Sequence, residues 1–369
     1  MELSQAILVV LLGLVSASYA SILTFAIIHG RRILVKRDPN AVVTFSVFLP
    51  TFNESTGIVR KLDDLLSQTA FKKYDGEILV YDCSADQTRQ LVREYACKDA
   101  RIKLIEQSER TGVARTFNEA IKQAKGEVFV KTDCDSTAAS TEELARLIQV
   151  FPADDHVGGV TGICLNVGRE GAFRSLLTRL QIAESNLDST IVAHSSSYVA
   201  FRRGALAPVD PDSMAEDTEE FLRIRKMGLR TLVDDDVRSV EQVPTNIHDR
   251  ISQKQRRAQG IVRALLQNMR VMFNPSYGDY GLVVFPINFF LLVVSPFLLL
   301  ICLIGMLWLS LVGGYFGAVG AGLLTILVSY FIGRPSWLAA LLDMQIFALI
   351  GTLNVLVGRH TATWKIYRA

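Results

Sequence analysis

Paired cysteines are missing from this chain. The five that occur (Cys83, Cys97, Cys134, Cys164 and Cys302) are odd in number and show no CxxC or Cys/His spacing. That excludes a disulfide framework and a zinc centre, and it suits reduced thiols in a cytosolic domain. Charge of one sign is not in excess either, with 39 Lys and Arg against 37 Asp and Glu. No basic stripe with interleaved aromatics runs through the soluble part, so nucleic acid is not an expected partner. Internal repeats and low-complexity tracts are absent as well. Only 21% of residues are charged and 50% are hydrophobic, an average over two unlike regions. Residues 40–260 have ordinary soluble composition, and the two ends are strongly apolar.

Ala6 to Ile28 carries no charged residue. As a helix it is about 35 Å long, enough to cross a bilayer. Ser16 to Ala20 faintly resembles a signal-peptide cleavage site. Against cleavage, the segment before it holds Glu2 and no Lys or Arg, and the apolar run continues beyond the cut. An uncleaved anchor over residues 1–30 is therefore expected. Arg31, Arg32, Lys36 and Arg37 follow it and place the next domain in the cytoplasm, making this an integral protein of the cell membrane. Ile251 to Phe273 alternates Ile261, Val262, Leu265, Leu266 and Met269 with Arg256, Arg257, Arg263 and Arg270. That pattern predicts a basic amphipathic helix over 251–275, against membrane lipid or a protein core. Three apolar stretches follow over 283–358: Val283–Leu311, Tyr315–Ile332 and Trp337–Val357. Asp343 inside the last is expensive in lipid and the tail beyond it is basic, so two to three spans are expected.

Between these ends, residues 40–250 alternate strand and helix. Thr44–Leu49, Glu77–Tyr81, Arg101–Glu106 and Glu127–Lys131 read as strands, and Thr56–Ser67 and Gly112–Ala124 as helices. Such units predict an α/β domain with a parallel, right-handed wound sheet. Further strands are expected at Val157–Leu165, Ser197–Arg202, Thr231–Val233 and Ser239–Val243, with helices from Phe173 to Leu187 and from Met214 to Met227. Three strands run into polar, acid-containing loops on the carboxyl edge, where open α/β sheets bind ligands. The first loop holds Pro50, Asn53 and Glu54, the second Asp82, Ser84, Asp86 and Thr88, and the third Asp133, Cys134 and Asp135. Side chains at i and i+2 of an extended chain share a side, so Asp133 and Asp135 can face one hard cation, Mg²⁺ or Mn²⁺. Taken singly, each motif has an ordinary reading: a solvated acidic turn, helix-cap aspartates, or first-turn acids at Glu216 and Asp217.

Together, in this order, the loops resemble the family-2 inverting glycosyltransferases of GT-A fold. Membrane-integrated members such as hyaluronan, cellulose and chitin-oligosaccharide synthases are the nearest in pattern. The resemblance runs from about Thr44 to Gly260. It makes Pro50, Asn53 and Glu54 the loop bordering the nucleotide, and Asp82 an acceptor for the base, with Asp86 in the same loop. Gly112, Ala114 and Asn118 match a further donor-side segment. Asp133 and Asp135 match the metal-binding DxD, Asp135 as the firmer ligand. Asp217 matches the catalytic base, with Glu216 beside it. Gln253, Arg256 and Arg257 align with Q-x-x-R-W, placing Arg256 at the donor phosphates and Gln253 and Arg257 toward the acceptor. Two departures stand out: Tyr81 replaces an Asp common in relatives, and Arg257 replaces the Trp.

What the resemblance implies is a metal-assisted direct displacement, a UDP-sugar being the expected donor and a growing polysaccharide or oligosaccharide the acceptor. Transfer of one sugar to a lipid carrier or glycolipid is the alternative. An inactive nucleotide-sugar-binding scaffold is the more remote one. A homo-oligomer is left open, since few membrane segments are present to form a pore within one chain.

Overall fold

The apolar runs between the acid-containing loops become strands of one mixed sheet. A computed structural model of the chain describes residues 2–165, 171–192, 198–241, 247–313 and 337–359. Its strands are β1 (Thr44–Thr51), β2 (Asp75–Asp82), β3 (Ile102–Glu106), β4 (Val128–Thr132), β5 (Ser136–Ala138), β6 (Val157–Cys164), β7 (Tyr198–Arg202) and β8 (Arg230–Glu241). They lie in the order β3-β2-β1-β4-β7-β6-β8-β5. The β3-β2-β1-β4 half is parallel throughout, as alternating strand–helix units require. The other half is not: β7 runs antiparallel to β4 and β6, and β5 antiparallel to β8. The fold is a GT-A-like, mostly parallel mixed sheet with helices.

Central strand β1 is buried on both faces, so Phe45, Val47, Phe48 and Leu49 are all apolar. Gly126 lets the chain enter β4 beside it, because a Cβ there would lie 2.3 Å from the Phe45 backbone. One face carries an aromatic core. Phe117 on the helix Val113–Gln123 sits 5.9, 5.4 and 6.1 Å from the rings of Phe48, Phe129 and Phe201. Tyr81 joins this core, 5.6 Å from Phe48, so the departure at that position is a buried packing residue. The helix Glu216–Lys226 ends before Gly228, whose φ of +87° is the left-handed cap that glycine adopts without strain.

Several expected elements differ in detail. Thr231–Val233 and Ser239–Val243 were expected as two strands, but the described part is the single strand β8, with register shifts along its pairing to β6. The short strand β5 and the helices Ala70–Lys73, Glu143–Ile148 and Val150–Ala153 are additional; each has too few residues to show a period. The stretch Tyr315–Ile332 lies outside the described residues.

Two units compose the chain. The sheet unit comprises Arg32–Leu165 and Glu184–Gln253, and the apolar unit Met1–Arg31, Asn166–Ala183 and Lys254–Arg359. Within the apolar unit, Ala26 of the helix Glu2–His29 packs with Leu180 and Leu291. Two helices, Gln5–His29 and Tyr280–Trp308, are long and apolar enough to cross a membrane; Leu341–Leu356 is a shorter apolar helix. The expected Val283–Leu311 stretch begins with π-helical turns at Tyr280–Val284 and Phe290–Val294, and ends in the helix Ser295–Gly313. Asp343 is paired rather than stranded: Lys254 donates to it at 3.2 Å. Such a partner lowers the cost of a carboxylate among apolar helices, and both side chains keep about a third of their surface exposed. On the sheet unit, Arg32 and Arg37 are ion-paired to Asp236 and Asp234, at 2.6 and 2.5 Å.

Candidate active site

Two loops at the carboxyl edge of the sheet are laced together. After β1, Asn53 takes a left-handed conformation, φ 55°, a region that Asn tolerates better than most side chains. That turn lets its N–H donate to Ser84 Oγ at 2.8 Å, and its Oδ1 accept from Ala85 N at 3.0 Å. Glu54 N donates to Thr88 Oγ1 at 2.8 Å, and Ser55 N to Asp86 Oδ2 at 3.2 Å. Asp86 also accepts from the backbone of Thr88 at 3.0 Å. Although burial pushes its carboxyl up, these bonds outweigh it and hold Asp86 below the usual range. Pro50 is the residue of β1 that pairs with Tyr81 of β2, at the root of the same edge.

Asp82 lies at the base of the second loop. It is fully buried. Oδ1 accepts from Thr51 Oγ1 at 2.8 Å and Ser84 Oγ at 2.5 Å, while Oδ2 accepts from Ser84 N and Arg89 Nε, both at 3.1 Å. Four donors match the roughly four lone-pair sites of a carboxylate, so Asp82 frames the loop. Asn118 is likewise bonded within the fold. Its amide donates to Val209 O at 2.9 Å and accepts from Val209 N at 2.8 Å, imitating a backbone strand partner. What lies on this edge instead, unforeseen from the sequence, is Arg110 stacked over the ring of Phe52 at 4.2 Å. A loop aromatic followed by a distant loop arginine has no spacing signal.

The third loop alternates in burial. Thr132, Cys134 and Ser136 are buried, whereas Asp133 and Asp135 are partly exposed. Both carboxylates thus belong to the accessible set, as the i, i+2 relation requires. Cys134 turns toward Gly57, where a Cβ would stand 3.7 Å from its Sγ and 3.8 Å from Glu54 Oε2. Burial pushes that thiol up to about 12. Of the run Asp133, Cys134 and Asp135, only the two carboxylates are accessible, and hard oxygens suit Mg²⁺ or Mn²⁺.

Two buried ammonium groups bracket this loop, and the sequence reading missed both. Lys61, on the apolar face of the helix Ile58–Ser67, is fully buried. It donates to Thr132 Oγ1 at 2.7 Å, Ser136 O at 2.9 Å and Tyr198 OH at 3.0 Å. Burial lowers it to about 8, against the pull of Asp64 and the loop acids. Lys131 stands two residues before Asp133, one strand period away. Its Nζ lies 2.5 Å from Glu216 Oε1 and 3.6 Å from Asp217 Oδ2. Burial alone would lower Lys131; Glu216, Asp217 and Asp133 together outweigh it and carry the ammonium above the ordinary lysine value. A hydrophobic-face lysine and a strand lysine look unremarkable in one dimension; only charge neutralisation inside the fold marks them.

Glu216 and Asp217 open the helix Glu216–Lys226, where the macrodipole favours acids. Asp217 Oδ1 accepts from Thr218 N at 2.7 Å. Lys131 thereby joins the strand of Asp133 to the helix of Asp217 within the sheet unit. Gln253, Arg256 and Arg257 lie on the helix Ile247–Gln267, whose residues from Lys254 onward belong to the apolar unit.

Two family models match the chain. Residues 46–208 match the glycosyl transferase family 2 model and residues 129–350 the glycosyl transferase family group 2 model. A poly-β-1,6-N-acetyl-D-glucosamine synthase of Staphylococcus epidermidis is 28% identical over 51% of this chain and 47% of its own length. The poly(ribitol-phosphate) β-N-acetylglucosaminyltransferase TarS of Staphylococcus aureus is 36% identical over 46% of this chain and 29% of its own. The chain thus spans about half the length, or less, of these curated relatives. Among solved structures, the mannosyltransferase PcManGT of Pyrobaculum calidifontis, in complex with GDP-Man and Mn²⁺, superposes with a TM-score of 0.81. It is 25% identical and covers 97% of this chain and 100% of that one. With more than half of its residues in the second match, and acids gathered at the edge the fold reserves for ligands, this chain belongs to the family 2 glycosyl transferases.

Proposed function

We propose that the protein is a membrane-bound inverting glycosyltransferase that moves a hexosyl group from a nucleotide-sugar to a growing polysaccharide or oligosaccharide. The observation that carries this reading is the Lys131 bridge, which ties the strand of the DxD acids to Glu216 and Asp217. The Pro50–Asn53–Glu54 loop borders the nucleotide, with Phe52, Arg110 and the Asp86 loop beside it. Asp82 and Asn118 act behind this surface, as framework. Among the described residues no cluster of three or more acids, histidines or cysteines is close enough to hold a metal by itself. Asp133 and Asp135 would hold Mg²⁺ or Mn²⁺, the remaining ligands being diphosphate and water oxygens. When bound, the ion neutralises charge developing on the leaving diphosphate. Arg256 adds positive charge there, and Gln253 and Arg257 face the acceptor.

Asp217 takes the proton of the acceptor hydroxyl as that oxygen bonds to the anomeric carbon. The bond from that carbon to the diphosphate breaks with its electron pair, and the anomeric configuration inverts. No covalent intermediate forms. The domains follow: an anchor over 1–30, the catalytic domain over 40–250 on the cytoplasmic side, an interface helix over 251–275, and membrane spans within 283–358.

The structural likeness to a mannosyltransferase bound to GDP-Man, over nearly the whole chain, favours a GDP-sugar as a second candidate donor; transfer of one sugar to a lipid carrier or glycolipid is the alternative that the family resemblance leaves. Purified protein in lipid, offered UDP- and GDP-sugars with Mn²⁺, separates the two. A high-mass labelled product supports polymer synthesis, and one lipid-linked residue supports the alternative. Asp217→Asn should abolish transfer while retaining nucleotide binding; full activity in that variant removes Asp217 from the base role. EDTA should stop turnover, and resistance to it would discredit the Asp133–Asp135 assignment.

A further inference from the structure

Lys131 is an improbable residue at its position. It lies within a strand otherwise built of Val128, Phe129, Val130 and Thr132, and every residue of that strand is buried. A buried charge is retained only against opposite charge, because removal from water is costly. Here the opposite charges are Glu216 and Asp217, with Asp133 further along the same strand. Side chains of Lys131, Glu216 and Asp217 are 10, 9 and 13% exposed, so solvent screens their attraction little.

We propose that Lys131 is a positioning residue for transfer: it aims the Asp217 carboxylate by holding Glu216 and the start of the helix Glu216–Lys226 against β4. The inference rests on the base role of Asp217. Its geometric content is specific. One Asp217 oxygen is held by Thr218 N at 2.7 Å and the other faces Lys131 at 3.6 Å, so the carboxylate is oriented from both sides. Glu216 takes the shorter contact, 2.5 Å, and is the member neutralised outright. Asp217 is at the longer distance, 3.6 Å. Without Lys131, two adjacent carboxylates at one helix start repel each other and turn apart. Displacement of a reacting group by about 1 Å can cost ~10²-fold in rate. The loss should appear in the chemical step more than in donor binding, because the ion-pair partners of Lys131 among the described residues are Glu216 and Asp217, on the helix of the base.

Lys131→Met, Lys131→Arg and Glu216→Gln test this, each read by kcat for transfer and by calorimetric titration of UDP and GDP with Mn²⁺. Lys131→Met should lower kcat ~10²-fold while nucleotide affinity stays within ~3-fold of the parent. Lys131→Arg should recover ~10-fold of the loss, since a guanidinium can span both carboxylates. Glu216→Gln combined with Lys131→Met should be clearly non-additive, as expected for partners in one contact. Transfer within ~3-fold of the parent in Lys131→Met, additive effects, or a loss residing in nucleotide affinity would each overturn the proposal. If Lys131→Met does not fold by its melting curve, the arginine variant and Glu216→Gln decide the matter on the same two readouts. Asp217→Asn run in parallel keeps the claims apart: an inert Asp217→Asn beside a fully active Lys131→Met sinks only the positioning role. An active Asp217→Asn removes the base assignment beneath it.

Discussion

The sheet unit and the apolar unit differ in the buried polar groups they hold. Beside many neutral side chains, the sheet unit buries ionisable ones. Lys61, Lys131, Asp82, Glu216, Glu220 and Asp234 are all buried, and each faces an opposite charge or a set of hydrogen bonds. Among the described residues of the apolar unit, the buried polar side chains are neutral. Ser295 donates to Gln345 Oε1 at 2.9 Å and accepts from Tyr19 OH at 3.0 Å, linking three helices. Gln345 Nε2 reaches Leu291 O at 3.2 Å, a carbonyl within the π-helical turn Phe290–Val294. Widened turns leave carbonyls without their usual partner, and neutral side chains supply one. The contrast teaches where each unit is expected to work. In the sheet unit, Lys61 and Lys131 lie beside the accessible acids Asp133 and Asp135. In the apolar unit, neutral hydrogen bonds link the helices, and the ion pair Lys254–Asp343 keeps about a third of each side chain exposed.

The contrast can be broken most forcefully at Lys61. Lys61→Met leaves Thr132, Ser136 and Tyr198 without their donor, and should cost about 3–5 kcal/mol in denaturant unfolding. A loss below ~1 kcal/mol would mean the ammonium carries no structural role and that the bracketing of the third loop is incidental. Glu220 gives a smaller effect with a definite sign. Burial raises its carboxyl to about 8, against the partial pull of Arg223. A raised folded-state value means stability present at low pH and lost as pH climbs from the ordinary carboxylate range through about 8. Glu220→Gln should flatten that decline and be the more stable chain by ~2 kcal/mol above it. Parallel melting-versus-pH curves for parent and variant would exclude the assignment. Smallest is Gln345→Leu in the apolar unit, expected to cost ~0.6 kcal/mol, because unfolded helices in lipid also find partners. A cost matching that of Lys61→Met, measured by unfolding in detergent, would erase the difference between the units.

Much of the edge could be read in one dimension because strand ends and loop acids are local features. Asp133 and Asp135 needed only a period of two, and the apolar run of β4 gave them their direction. Gly228 was legible as a helix stop for the same local reason. The antiparallel strand β7 was not, since nothing within Tyr198–Arg202 records which neighbour it meets or in what sense. Asp82 and Asn118 were legible as motif members, but their hydrogen-bond partners were not. Their partners, Arg89 and Val209, lie 7 and 91 residues away, and a hydrogen bond across that separation leaves no trace in spacing. Tyr81 looked like a lost acid and is a core aromatic, because its ring packs on Phe48.

Composition and local pattern by themselves determined that the chain has apolar ends and an α/β middle, and that acids crowd the carboxyl ends of its strands. Hydrophobic periods and strand-end chemistry act over a few residues, so they survive in the linear order. The tertiary structure alone decided which acids remain open and which are spent on framework. It also revealed the two buried lysines that neutralise those acids. Electrostatic pairing and desolvation depend on distance through space, and residues 61, 131 and 216 acquire theirs only when helix, strand and helix are packed together.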